Sequence, residues 1–404
     1  MLTPEQIDAY AGQMAEPWGE LADRILRDMV RRIVKAGRIT DTVEWQAYRL
    51  EALGASEQYI RRQLQAIAAE IGPQEAAIFA RAMQEADAAD RAGAPPEAAA
   101  QAPGLGESPE AQQLIESGYR RTMNTLYNLT GTRAVGENQN LLETTRRQLA
   151  YYLDNAHADV ASGAFSWDGA TRRALRELAA RGVGAITYPS GHVDSLDVVV
   201  LRATRTGISQ TAGEITLHNA RQMGCDLMEL TAHAGARTGT GRHDYTNHAW
   251  WQGQLVSLSG RPGYLTLADI GYGDVQGFKG ANCSHDWQPY WAGFSTRNYD
   301  SAALARMAQA TVRYNGRDIG RYEATQMQRA MERRIRAQKR AFLVAREAGL
   351  KDDEKAAAAR LSASRAKLTD FLGQTGLRKR QIQETVAGFG RSEAASAAAQ
   401  ARRK

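Results

Sequence analysis

HNARQMGCDLMELTAHAGAR, residues 218–237, holds the transition on which the fold class turns. Its first residues close a long helical pattern that begins at Val193 and carries Leu201, Thr204, Ile208, Thr211, Ile215 and Asn219 on or near one face. Gly224 ends that helix. Residues 226–231 (DLMELT) then cluster apolar side chains as a strand does, and a loop rich in Gly, His and Thr leads to a second strand signal at 254–258 (QLVSL). With the short apolar run 185–188, these segments predict a small mixed α/β core. On both sides the periodicity is helical. The expected class is therefore α+β, predominantly helical, with a small core domain flanked by N-terminal and C-terminal helical segments.

Toward the N-terminus, Thr3, Pro4 and Gln6 supply an N-cap, a first-turn proline and a capping-box partner. Leu21, Ile25, Met29 and Ile33 recur every fourth residue, and Gly37 follows Lys35 as a C-cap. Asp41 opens a third helical pattern with Trp45 and Leu50, and Ile60, Leu64 and Ile67 carry a fourth. Residues 85–110 are Ala, Pro and acidic with Leu105 the one large apolar residue, which predicts a linker. Helical patterning resumes at Ala111, returns over 141–153, and closes with 168–181 before Gly182. Residues 260–294 read as ordered irregular structure pinned by Trp287, Tyr290 and Trp291. After Asp300 come long basic helices, one with Met327, Met331 and Ile335 on one side and Arg329, Arg333, Arg336 and Arg340 on another. Asp352 or Asp353 caps the next, which carries Leu361, Leu368 and Phe371. The division that follows is a helical domain 1–84, a linker 85–110, a core 111–300, a basic helical region 301–390 and a disordered tail 391–404.

The 404 residues are 43% hydrophobic and 24% charged, which excludes a wholly disordered or collagen-like chain. No stretch approaches the roughly 20 uncharged apolar residues of a bilayer span, and the N-terminus has no secretory pattern, so a soluble protein made in a cytoplasm is expected. Two cysteines exclude a disulfide-stapled scaffold. From Ser301 onward 23 Lys+Arg stand against 10 Asp+Glu, whereas the rest of the chain is net acidic. Such asymmetry points to a C-terminal region that meets an anionic partner, nucleic acid or an acidic protein surface.

The densest polar cluster is residues 231–248, joined by 282–285 (NCSH). A zinc site could draw on Cys225, His233, Cys283 and His285, with His243 or His248. C-x7-H and C-x-H are not the close ligand pairs of structural zinc, so no metal is expected, and these side chains read as partners for loop backbone. Catalytic groupings such as Cys283, His285 and Asp286, or Ser257, His248 and Asp244, lack a nucleophile elbow. Gly271, Gly273 and Gly277 have the wrong spacing for a dinucleotide loop, and no phosphate-loop motif occurs. No catalytic residue and no cofactor is expected. The arginine row could neutralise duplex phosphates without reading sequence.

Several blocks taken together resemble the phage minor capsid protein 2 family, which is related to head morphogenesis proteins of the phage Mu type. They are IVKAGRITDTVEWQAYRLEALG, NARQMGCDLMEL, TAHAGAR, WWQGQLVSLSG, IGYGDVQGFKGANCSHDWQPYWAG and QETVAGFG, in order, to about Gly390. By position His233, Arg237, His248, Gln252, Gly253, Gly271, Gly273, Asn282, Cys283 and His285 fall on the family's motif. The loop after Ala236 is longer than the family pattern, and Ser284 and Asp286 depart from an Asn-Cys-Arg-His block. The resemblance implies a structural protein of the virion, present in few copies at the portal vertex and inside the head, and assembled in the host cytoplasm. It would act in head assembly or in DNA packaging or ejection. Portal protein, other head proteins and packaged double-stranded DNA would be its partners, with no membrane involved. Arg329, Arg333, Arg336 and Arg340 are the residues expected to touch DNA. The toxin domain fused to some relatives is not expected. The alternative is an enzyme, or a zinc-stabilised nucleic-acid-binding protein, built on the Cys/His cluster.

Overall fold

The computed structural model describes residues 1–39, 41–70, 72–130, 140–187, 193–280 and 283–402. Helix α1 (Pro4–Ala36) starts where the capping box places it: the Thr3 hydroxyl accepts the Gln6 amide, and the Gln6 side chain accepts the Thr3 amide at 2.8 Å. It ends at Gly37. Two expected helices are one here, with Pro17 inside. An internal proline costs about 3 kcal/mol, yet Met14, Trp18, Leu21, Ile25 and Met29 are all fully buried. Truncating one such side chain costs roughly 2–5 kcal/mol, so five of them together carry the helix through the proline.

The third and fourth expected helices likewise merge into α2 (Thr42–Glu70). Then α3 (Gly72–Ala92) and α4 (Pro96–Gln101) occupy much of the segment expected to be a linker. That expectation is corrected: Ala86, Ala94, Ala102 and Leu105 are buried. Alanine is the best helix former and lets helices approach closely, so the segment needs no large apolar residues. Its buried carboxylates are paired, Asp90 with the Met1 amino group at 2.7 Å and with Asn219 at 3.2 Å, and Asp87 with Arg91 at 3.0 Å.

Next come α5 (Pro109–Thr130), α6 (Asn140–Ala161) and α7 (Trp167–Arg181), the last capped by Ser166. Strands β1 (Gly184–Thr187) and β2 (Val193–Ser195) pair antiparallel and deliver the chain into α8 (Leu196–Gln222). The long helix thus begins three residues later than its periodicity predicts. Helices α1, α3 and α5 pack on α8. One continuous core runs from Leu2 through Phe79, Leu126, Leu149, Leu178 and Ile215 to Val344, so there is no break in it near residue 84.

Strand β3 (Leu227–Leu230) is the centre of a three-stranded antiparallel sheet, between β4 (Leu255–Ser257) and β5 (Trp287–Tyr290). Leu227 stands opposite Ser257 and Tyr290, and Leu230 opposite Trp287. A short helix α9 (His248–Trp251) precedes β4. Of the segment read as irregular, 287–290 is strand; Pro289 masked it, being tolerable only on an edge such as this one. Beyond the sheet lie α10 (Ser301–Ala308) and a hairpin of β6 (Thr311–Tyr314) and β7 (Arg317–Gly320), both within the region expected to be helical. Asn315 and Gly316 both have positive φ, +48° and +77°, the geometry that an Asn-Gly hairpin turn favours.

Helices α11 (Arg321–Glu347) and α12 (Lys351–Thr375) form an antiparallel hairpin, and α13 (Arg391–Arg402) packs on α12. The tail expected to be disordered is therefore helical through Arg402, with Ala397 buried and Ser396 held by Arg346. Glu347 of α11 pairs with Arg27 at 3.1 Å and Arg31 at 2.7 Å, which fixes the basic hairpin against α1.

Candidate functional site

Between α1 and α8 on one side and α11 on the other lies an open cavity of about 2280 Å3. Loops that enter and leave the three-stranded sheet supply a further wall, lined by His233, Arg237, His248, Gln252, Cys283 and His285, and residues 380–390 border the cavity as well. The arginine row faces it too, with Arg329, Arg333, Arg336 and Arg340 all on its lining. Two sets of residues that the sequence suggests for unrelated reasons thus share one space.

The loop wall is built from the sheet outward. Thr231, one residue past β3, exchanges bonds with Asp286, donating its amide to the Asp286 carbonyl and accepting the Asp286 amide on its hydroxyl, both at 2.8 Å. This places His233 and His285 side by side, rings stacked with centroids 4.4 Å apart. The buried Gln252 joins them: its Oε1 accepts from the His233 amide at 3.0 Å and from His285 Nε2 at 3.2 Å. Because the amide can only donate, the Gln252 orientation is fixed, and His285 carries its proton on Nε2. His248 makes the same choice, giving Nε2–H to the Gln276 carbonyl at 2.9 Å. Both rings therefore keep Nδ1 unprotonated, and Cys283 Sγ lies 3.7 Å from that of His285.

Lys279 and Asp286 hold this wall against α8. The buried Lys279 ammonium pairs with Asp286 at 2.7 Å and donates to the Ser209 carbonyl at 2.9 Å. Sequence reading missed Lys279 and treated Asp286 as a departure from the family block; the pair explains the aspartate, because a buried ammonium needs a countercharge. Asn282 lies outside the described residues. Gly253 (φ +67°) and Gly271 (φ +59°) make turns where a Cβ would come within 2.7 Å of Leu304 and 2.6 Å of the Tyr245 ring. Gly273 also has positive φ, +95°, but nothing lies within 4 Å of a Cβ there, and all three glycines lie off the cavity lining.

Burial dominates the protonation of the cluster. It holds His233 and His248 below the ordinary imidazole range and His285 well below it, with the neighbouring histidines adding to the effect on His285. Burial pushes the Cys283 thiol up. A neutral thiol beside a neutral imidazole is not an activated nucleophile. The third group of a triad is lacking as well, since Asp286 faces Lys279 and the partner of His285 is an amide. The other grouping fares no better: the Ser257 hydroxyl donates to Asp226 at 2.8 Å, and Asp244 caps the turn at Thr246. What the cluster can do is hold a metal, because the donor atoms of His248, Cys283 and His285 lie within 4.8 Å of one another. Cys225 is elsewhere, buried with its thiol against the Leu227 and Tyr290 carbonyls, and His243 stacks on Trp250.

On the opposite wall the arginines divide. Arg336 and Arg340 straddle Asp197 at 3.9 and 3.6 Å, and Arg340 also donates to the Ala179 carbonyl at 2.9 Å. They fasten α11 to α7 and α8. Of the four arginines expected to touch DNA, Arg329 and Arg333 are exposed and Arg336 and Arg340 are half-buried. The row crosses a helix packed on both flanks, which helical periodicity alone could not reveal.

The described residues form a helical scaffold around a small antiparallel sheet whose polar loops are fastened to one another. The chain belongs to the phage minor capsid protein 2 family, whose match spans residues 2–373 and so takes in α1, the histidine loops and the arginine helix. It is a minor structural protein of a phage capsid, and its place is the virion. No curated protein and no solved structure matches the chain. No helix among the described residues is long and apolar enough to cross a membrane.

Proposed function

We propose that this minor capsid protein is a portal-associated component of the phage head, active in head assembly or in DNA packaging and ejection, that touches packaged duplex DNA without reading its sequence and catalyses no reaction. The observation that carries the DNA contact is the pair Arg329 and Arg333, exposed one helical turn apart on α11 and turned to an open cavity. They stand in a region with 23 basic against 10 acidic residues. Contacts of this kind release condensed counterions, so affinity falls as salt rises, by a slope of about −0.9 per phosphate neutralised.

Titrating duplex DNA over a salt series tests the reading. With two arginines engaged, the slope of log affinity against log salt is expected near −2, not the value near −4 that four would give. Arg329→Gln with Arg333→Gln should flatten it and leave the melting temperature alone. Arg336→Gln with Arg340→Gln should instead lower the melting temperature, because Asp197 loses both partners. Salt-independent affinity, or no binding at low salt, would assign the basic region to an acidic protein surface.

A further inference from the structure

Three donor side chains converge at the loop wall from places far apart in the chain: His248 opens α9, while Cys283 and His285 lie on the approach to β5. We propose that His248, Cys283 and His285 bind a transition-metal ion of the zinc type, through the two Nδ1 atoms and the thiolate, with a fourth position toward the cavity. This goes beyond the structural role in the head and does not depend on it.

The first argument is the pattern of hydrogen bonds around the rings. A metal-binding imidazole characteristically gives its second N–H to a carbonyl or carboxylate, which fixes ring and tautomer. Both histidines do this, His248 toward the Gln276 carbonyl at 2.9 Å and His285 toward Gln252 Oε1 at 3.2 Å. The nitrogens left over are the ones that would bind, and Cys283 Sγ stands 3.7 Å from that of His285. Ligands on a tetrahedral zinc, with bonds of about 2.0–2.3 Å, are separated by about 3.3–3.6 Å. The Cys283–His285 edge is already close to that length. One donor atom from each of His248, Cys283 and His285 lies within 4.8 Å of the others, roughly 1 Å beyond the ligand separations of a tetrahedral zinc.

The second argument is polar supply without demand. His233 stacks on His285, and its buried Nε2 has no hydrogen-bond partner among the described residues. A buried nitrogen left unpaired costs about 1–3 kcal/mol. A water on the metal's fourth position, at a cavity this residue also lines, is a partner of the needed kind. Donor softness favours zinc: imidazole and thiolate together disfavour magnesium and calcium, which take oxygen. Binding balances by release of the Cys283 thiol proton to solvent as the sulfur–metal bond forms.

The test uses the full chain and the metal alone. Elemental analysis of protein purified from zinc-supplemented medium should give one zinc per chain. Cobalt(II) added to chelator-treated protein should produce a near-ultraviolet thiolate-to-cobalt band, present in Cys225→Ser and absent in Cys283→Ser. Gln252→Ala should keep the band and bind about 10–100-fold more weakly, the usual effect of removing such a partner. Should Cys283→Ser fail to fold by circular dichroism, His248→Ala, which keeps the thiol, is expected to lose the stoichiometric zinc. Wild-type protein with well under one zinc per chain overturns the proposal. So does a cobalt band that survives Cys283→Ser, or full zinc in folded His248→Ala.

Discussion

Glu75 shows what a single buried carboxyl contributes in this protein. It sits in the first turn of α3 and accepts from Trp18 Nε1 on α1 at 3.3 Å, with its second oxygen unpartnered among the described residues. Burial pushes its pKa from 4.5 up to about 7, the Trp18 bond opposing only in part. Nearby Tyr119, its phenol pushed up to about 12 by burial with Glu75 adding, is no source of positive charge. In the unfolded chain the carboxyl loses its proton near 4.5, so between there and about pH 7 the folded state holds more protons. Stability from this group is complete below about pH 4 and is lost as pH rises through 7, about 3 kcal/mol in all. Glu75→Gln removes that loss. Melting temperatures from pH 5 to 8 should fall less steeply for the variant, which should exceed wild type at pH 8; parallel curves would show that the carboxyl is solvated.

At the scale of elements, the contact between α5 and α8 rests on reciprocal glycines. Gly118 of α5 faces Thr211 of α8, and Gly207 of α8 faces Thr122 of α5. A Cβ at Gly207 would lie 2.0 Å from Thr122 Oγ1 and 2.8 Å from its Cβ, and Thr122 is locked further by donating to the Gly118 carbonyl at 2.8 Å. In an open helix, Gly to Ala gains about 1 kcal/mol. Overpacking a fitted contact costs about 1–3 kcal/mol, and the closeness of Thr122 puts Gly207 at the upper end. Gly207→Ala should therefore lose about 1–2 kcal/mol. Gly54→Ala, at an exposed position of α2 with nothing within 4 Å, should gain up to about 1 kcal/mol. Denaturation midpoints shifting in the same direction for both would contradict the close approach.

For the whole molecule, the shared core restricts how a head partner can be met. The apolar stripe of α1 is covered by α8, α2 and α3. Among the described residues of 1–84, the exposed large apolar side chains are Val43 and Leu50, 74% and 71% exposed and two helical turns apart on one face of α2. A portal contact through the N-terminal region would use that face, on the proposal made above. Val43→Glu with Leu50→Glu should lower incorporation into particles several-fold and leave the melting temperature within about 1 °C, as surface changes do. Unchanged incorporation would move the portal contact off this helix.

The sequence alone determined what is settled within a few residues. The capping box at Thr3, the glycine ends at Gly37 and Gly182, the long helix before Gly224 and the strand at 227–230 are of this kind, because backbone hydrogen bonds and side-chain periodicity are local. The hairpin at Asn315-Gly316 was legible by the same rule and was passed over because basic helices surround it. Composition likewise carried the charge asymmetry, and the ordered blocks carried the family. Tertiary structure decided the rest. Only tertiary packing shows that alanines at 86, 94 and 102 are buried and not linker, Ala94 and Ala102 against Met223 and Trp291, and that Pro17 interrupts nothing. Only the docking of α11 against α7 and α8 separates Arg336 and Arg340 from Arg329 and Arg333. The candidate site was legible as a set of residue types and not as a place. His233, His248, Gln252, Cys283 and His285 meet because three short strands pair and a buried Lys279–Asp286 contact pulls their loops onto one helix, and pairing between distant segments leaves no trace in local spacing.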